Sequence, residues 1–123
     1  MEIWKRVLGP LLKIEKVQEI LGLKTQRDVR GLSSSGQLLT LDSPEGELYP
    51  AFQFAANGSP YPEIARVLEI FSGIVETPYL IASWFVSPQD LLEQQTPAAW
   101  LRSGRNPELL LEAARRAAAI LAH

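Results

Sequence analysis

Leu48-Tyr49-Pro50-Ala51-Phe52-Gln53-Phe54 divides the chain into two halves of different texture. Upstream, the sequence is cut into short segments carrying basic side chains. Downstream, helix starts follow closely, each marked by a polar residue and a proline. Within the stretch, Leu48, Pro50, Phe52 and Phe54 alternate with Tyr49, Ala51 and Gln53, which is the period of a strand, and Pro50 confines that strand to a sheet edge or forces a bulge. Gln37 to Leu41 reads as its partner strand, and Asp42-Ser43-Pro44-Glu45-Gly46 as the turn between them, so a hairpin is expected.

Towards the N-terminus, Ser33-Ser34-Ser35-Gly36 is a polar break, and two short helices precede it. From Leu11 to Leu21 the apolar residues Ile14, Val17, Ile20 and Leu21 recur at three and four, and Gly22 stands where a left-handed terminal residue is needed. Thr25 is placed to cap a second helix, Gln26 to Leu32, with Val29 and Leu32 inward and Gln26, Arg27 and Arg30 outward. Glu2 to Leu8, with Ile3, Trp4, Val7 and Leu8 at helical spacing, forms a packing helix ended by Gly9-Pro10. Two helices at a tight corner followed by a hairpin predict a helix-turn-helix of winged-helix type over residues 1–54, a candidate DNA-binding region.

Towards the C-terminus the pattern is helical. Ile64, Val67, Leu68 and Phe71 form one apolar stripe ending at Gly73. Thr77-Pro78, Ser87-Pro88, Thr96-Pro97 and Asn106-Pro107 each place a side-chain acceptor at an N-cap and proline at the first helical position, where its missing N–H costs nothing. Ser87 with Asp90 has the form of a capping box, and Gly104 that of a helix stop. Four helix starts so close together predict a small bundle over 55–123, giving a mainly α protein with one hairpin. Trp84, Phe85 and Trp100 are read as its large core side chains.

The last helix, from Pro107, is apolar over more than one stripe: Leu110, Leu111, Ala113, Ala114, Ala117, Ala118, Ile120 and Leu121 cannot all share a single face. Either the bundle covers both its sides or one side meets a partner.

Composition narrows the function classes. With 46% apolar and 21% charged residues in 123, the chain is ordinary globular material. No apolar run approaches the about 18 residues of a membrane span, and a cytoplasmic location without membrane contact is expected. The absence of cysteine excludes disulfides and thiol chemistry. One histidine, no glycine-rich phosphate loop and no acidic pair with a reason to be buried argue against an enzyme, and neither a cofactor nor a metal site is expected.

A net charge of −2 supplies no global attraction to phosphate, so nucleic-acid binding requires a local patch, duplicated in a homodimer. Lys24, Thr25, Gln26, Arg27 and Arg30 form that patch, since Arg carries the paired donors that read a guanine edge and Gln the donor and acceptor that read an adenine edge. A plain solvated helix face is the alternative. Three cations each meeting a phosphate give a log-log salt slope of about −2.7 per chain, or ~40-fold weaker binding between 50 and 200 mM salt. Asp42, Glu45 and Glu47 at the hairpin repel a phosphate backbone, so the wing is expected to serve protein contacts.

The string Pro50-Ala51-Phe52-Gln53-Phe54, then Trp84-Phe85, Ser87-Pro88 and Leu91, then Thr96-Pro97, Leu101 and Gly104, resembles the toxin-binding domain of Xre/MbcA/ParS-type antitoxins over Leu48 to Leu121. The chain departs from that pattern at Gln89, where the family has Asn, at Gln94-Gln95, where it has a nearby Gly, and in its shorter N-terminal region. The resemblance implies the antitoxin of a type II toxin–antitoxin pair: residues 55–123 bind and occlude a RES-like NAD-degrading toxin, and the first half binds operator DNA. It implies that Arg115, Arg116, Leu121 and His123 near the C-terminus contact the toxin. A stand-alone DNA-binding regulator whose helical half dimerises is the competing expectation.

Overall fold

A computed structural model describes residues 2–122. Their order is α1 (Glu2–Leu8), β1 (Leu11–Lys13), α2 (Ile14–Leu21), α3 (Gln26–Ser34), β2 (Leu41–Ser43), β3 (Gly46–Pro50), α4 (Pro62–Phe71), α5 (Pro78–Phe85), α6 (Pro97–Ser103) and α7 (Pro107–Leu121), with 3₁₀ turns at Ala51–Gln53 and Asp90–Leu92. The protein is mainly helical, with one small antiparallel sheet ordered β1-β3-β2 and a wing-like hairpin.

The sheet has one strand more than the sequence pattern predicts. Leu11–Lys13 is a strand and not the first turn of α2, pairing Leu11 with Pro50, Leu12 with Tyr49 and Lys13 with Leu48. Three residues carry too little periodicity to separate strand from helix, and the exposed backbone of β3 decides between them. That pairing makes β3 the central strand, which corrects the expectation that Pro50 marks an edge. Proline is tolerated because it is the last residue of the strand, and the next N–H, of Ala51, donates to Pro10 O at 2.9 Å.

The period-two reading holds only as far as Pro50, since Ala51–Gln53 turn into a 3₁₀ helix. Upstream, β2 begins at Leu41 rather than Gln37. Leu38 and Leu39 are buried without being in a strand, and the Gln53 side chain supplies what a ladder would have given Leu39. Its amide accepts from Leu39 N at 2.8 Å and donates to Leu39 O at 2.9 Å and Pro50 O at 3.1 Å. Gln53 is fully buried, and these bonds satisfy it. Phe52 of the same stretch meets Phe85 of α5 with ring centroids 5.1 Å apart, so the stretch that separates the two halves of the sequence also joins them.

Caps set the helices as expected at three of four sites. Thr77 accepts from Tyr79 N, Thr96 from Ala99 N and Asn106 from Glu108 N. Ser87 does not cap: its hydroxyl donates back to Ser83 O at 2.7 Å, and only the 3₁₀ turn Asp90–Leu92 follows. That turn ends on two non-glycine residues with left-handed backbone, Glu93 (φ 58°) and Gln94 (φ 68°).

Two apolar clusters fill the interior. The smaller joins Ile14 and Val17 of α2, Val29 of α3, Leu38 and Tyr49. The larger is built on α4 to α7, with Trp84, Phe85 and Trp100 buried in it as expected, and it also takes in Leu8 of α1, Leu39 and Leu41. This interior therefore runs across residue 54. Within it α7 lies along α4 and the Asp90–Leu92 turn, burying Leu110, Leu111, Ala113, Ala114 and Ala118. No helix among the described residues is long and apolar enough to cross a membrane.

Candidate nucleic-acid interface

The five residues singled out for DNA contact gather at the start of α3, in three different situations. Thr25 is the N-cap: its Oγ1 accepts from Asp28 N at 3.1 Å, which fixes the first turn. Lys24 and Arg27 are exposed and form no ion pair among the described residues. Gln26 is half-buried beside the hairpin. Arg30 is committed: its Nε donates to Glu47 Oε1 at 2.8 Å, and that bond, with the charge of Glu47, raises the guanidinium pKa above its ordinary value.

The cleft containing Gln26 and Arg30 is also lined by Lys13 and by three carboxylates, Glu15, Glu45 and Glu47, so acidic side chains outnumber basic ones there. Of the five candidate residues, Lys24 and Arg27 are the cations that form no ion pair among the described residues. Of the nine residues of α3 only Val29 is buried, so the helix is held by a narrow stripe and presents most of its circumference to solvent.

The residues assigned to toxin contact lie on the far helix. Arg115 and Arg116 are exposed, and both reach Glu112, through Nη1 at 3.4 Å and Nε at 3.4 Å. Leu121 is 50% exposed and its neighbour Ile120 74%, so the end of α7 carries uncovered apolar surface. His123 lies outside the described residues. Of the two possibilities for α7, the bundle covers one side of its body and leaves its end open.

The sequence reading missed an open groove of about 750 Å³ between the C-terminal end of α1, the Ala51–Gln53 turn and α6. It treats α1 only as a packing helix, and nothing in the spacing links residue 6 to residue 102. No group of acidic, histidine or cysteine side chains suited to a metal ion occurs among the described residues.

Comparison with known proteins gives a fold likeness. Neither a family model nor a curated protein matches the chain. The solved NMR structure of Rv2175c is similar over 89% of this chain and 81% of its own, with a TM-score of 0.76 and 19% sequence identity. At that identity the likeness is one of fold alone.

Proposed function

We propose that the chain is a DNA-binding regulator whose first half is a winged helix-turn-helix and whose reading helix is α3. The observation that carries this reading is the placement of α3, held on α2 by the single buried residue Val29 while Lys24 and Arg27 stand unpaired at its start. A helix that enters a major groove needs this combination of a narrow anchoring stripe and an exposed polar face with cations at its N-terminal end. The antiparallel order β1-β3-β2, with β2 and β3 forming the hairpin after α3, supplies a wing. The wing is acidic and bonded to Arg30, so it braces the reading helix instead of gripping phosphate.

With Arg30 occupied, two cations per chain remain to meet phosphate, which gives a salt slope of about −1.8 and ~12-fold weakening between 50 and 200 mM salt. Two phosphate contacts alone give little affinity, and a homodimer reading two half-sites would double both the contacts and the slope. Fluorescence anisotropy on DNA from the region upstream of the chain's own gene tests this. Saturable binding lost in Arg27→Ala supports the reading, and equal affinity for wild type and that variant overturns it.

A second reading is favoured by one specific observation, the uncovered Ile120 and Leu121 at the end of α7 beside Arg115 and Arg116. In it the same chain is an antitoxin whose C-terminal end docks on a RES-like toxin and occludes it, with operator binding as autoregulation. Co-expression with a RES-type enzyme encoded alongside tests it: a stable complex lost in Leu121→Asp supports it, and free toxin rejects it.

A further inference from the structure

The groove between α1 and α6 has a chemistry that neither DNA contact nor docking at α7 uses. Val7, Phe52, Tyr61 and Val86 give it apolar walls, and Arg6 and Arg102 line it as well. Both arginines are exposed, and neither forms an ion pair among the described residues. Its volume of about 750 Å³ falls within the range of ~300–1,000 Å³ typical of small-molecule sites.

Two unpaired guanidiniums beside apolar walls select for one kind of ligand. An oxyanion gains charge-assisted, bidentate hydrogen bonds from arginine. A flat apolar body gains by burying area against Phe52 and Tyr61. A neutral apolar molecule would strip water from the guanidiniums and return nothing, and a polyanion would leave the apolar walls uncovered. We propose that this groove binds a small aromatic organic acid, with its anionic head on Arg6 and Arg102 and its ring against Phe52 and Tyr61. The site stands whether or not the chain binds DNA.

Anilinonaphthalene sulfonate, followed by fluorescence with the full chain, serves as probe, with naphthylacetate and the neutral naphthylethanol as competitors. Expected are one saturable site per chain and displacement by the acid about tenfold better than by the alcohol. Amide shift changes should be confined to residues lining the groove, Ala55, Ala56 and Thr96 among them. Arg6→Met with Arg102→Met should abolish the preference for the acid, while Arg66→Met, an exposed change that does not touch the groove, leaves it intact. Far-UV circular dichroism and the melting temperature report folding, and the single exposed change Arg102→Gln repeats the test if the double variant does not fold. Absence of saturation at millimolar probe, equal displacement by acid and alcohol, or unchanged preference in folded arginine variants overturns the proposal.

Discussion

Arg30 Nε and Glu47 Oε1 meet at 2.8 Å, tying α3 to the central strand. Seventeen residues separate the two in sequence, so the bond fixes how far the helix stands from the hairpin. It also withdraws one cation from the set proposed to meet DNA. Glu47→Gln should release Arg30 and remove a repelling carboxylate together. In anisotropy titrations the variant is expected to bind DNA several-fold more tightly, with a salt slope steeper by about 1. An unchanged slope would mean that Arg30 faces no phosphate.

Lys24 and Arg27 should act as a pair of phosphate contacts. Replacing both by alanine is expected to flatten the salt slope by about 1.8 per chain, at two contacts of ~0.9 each. Stability should change little, since both are exposed and unpaired and Thr25 still caps α3. A matched thermal melt separates lost binding from lost fold.

Gln53→Leu should be among the most damaging single changes in the chain. The variant fills similar space but strands the N–H and C=O of Leu39 in the interior, and a cost of about 2–4 kcal/mol is expected from urea unfolding. Gln53→Glu should do no better, because a carboxylate cannot donate to Leu39 O and Pro50 O.

Gln94→Gly should stabilise. The left-handed backbone at φ 68° penalises any side chain by about 1–2 kcal/mol, and glycine's extra freedom when unfolded returns part of the gain. A net increase of roughly 0.5–1 kcal/mol is expected in chemical denaturation.

Alkaline pH should weaken the fold through Tyr49. Burial raises its pKa, with the charge of Glu47 adding to the effect, while the nearby hydroxyls of Ser33 and Thr40 act in the opposite direction. Those two bond each other at 2.6 Å, and the Tyr49 hydroxyl has no hydrogen-bond partner among the described residues. Below about pH 10 the phenol is neutral in both folded and unfolded chains. As pH rises past that point the unfolded chain ionises first, so stability falls with increasing pH. Tyr79, also raised by burial, adds to the same trend. Melting temperatures measured from pH 8 to 11 should decline at the upper end, and Tyr49→Phe should flatten the decline.

The helices were legible because their signals are local. Thr25, Thr77, Thr96 and Asn106 cap what they were expected to cap, and Gly22 and Gly104 take the left-handed stops. The errors cluster where distant pairing decides. Leu11–Lys13 becomes a strand only because β3 lies beside it, and β3 is central rather than an edge for the same reason; Ser87 is a local miss, its hydroxyl turned back to the carbonyl of Ser83. The candidate site was legible as residue types but not as pairings: no spacing rule sends Arg30 to Glu47 or brings Arg6 to the same groove as Arg102.

Leu8, Leu39 and Leu41 share their interior with Phe71, Phe85 and Trp100. A boundary drawn through such an interior cannot be cut without exposing it on both faces. The first half is accordingly not a portable cassette: a fragment ending near residue 54 should collapse or aggregate, and the intact chain should melt in one step.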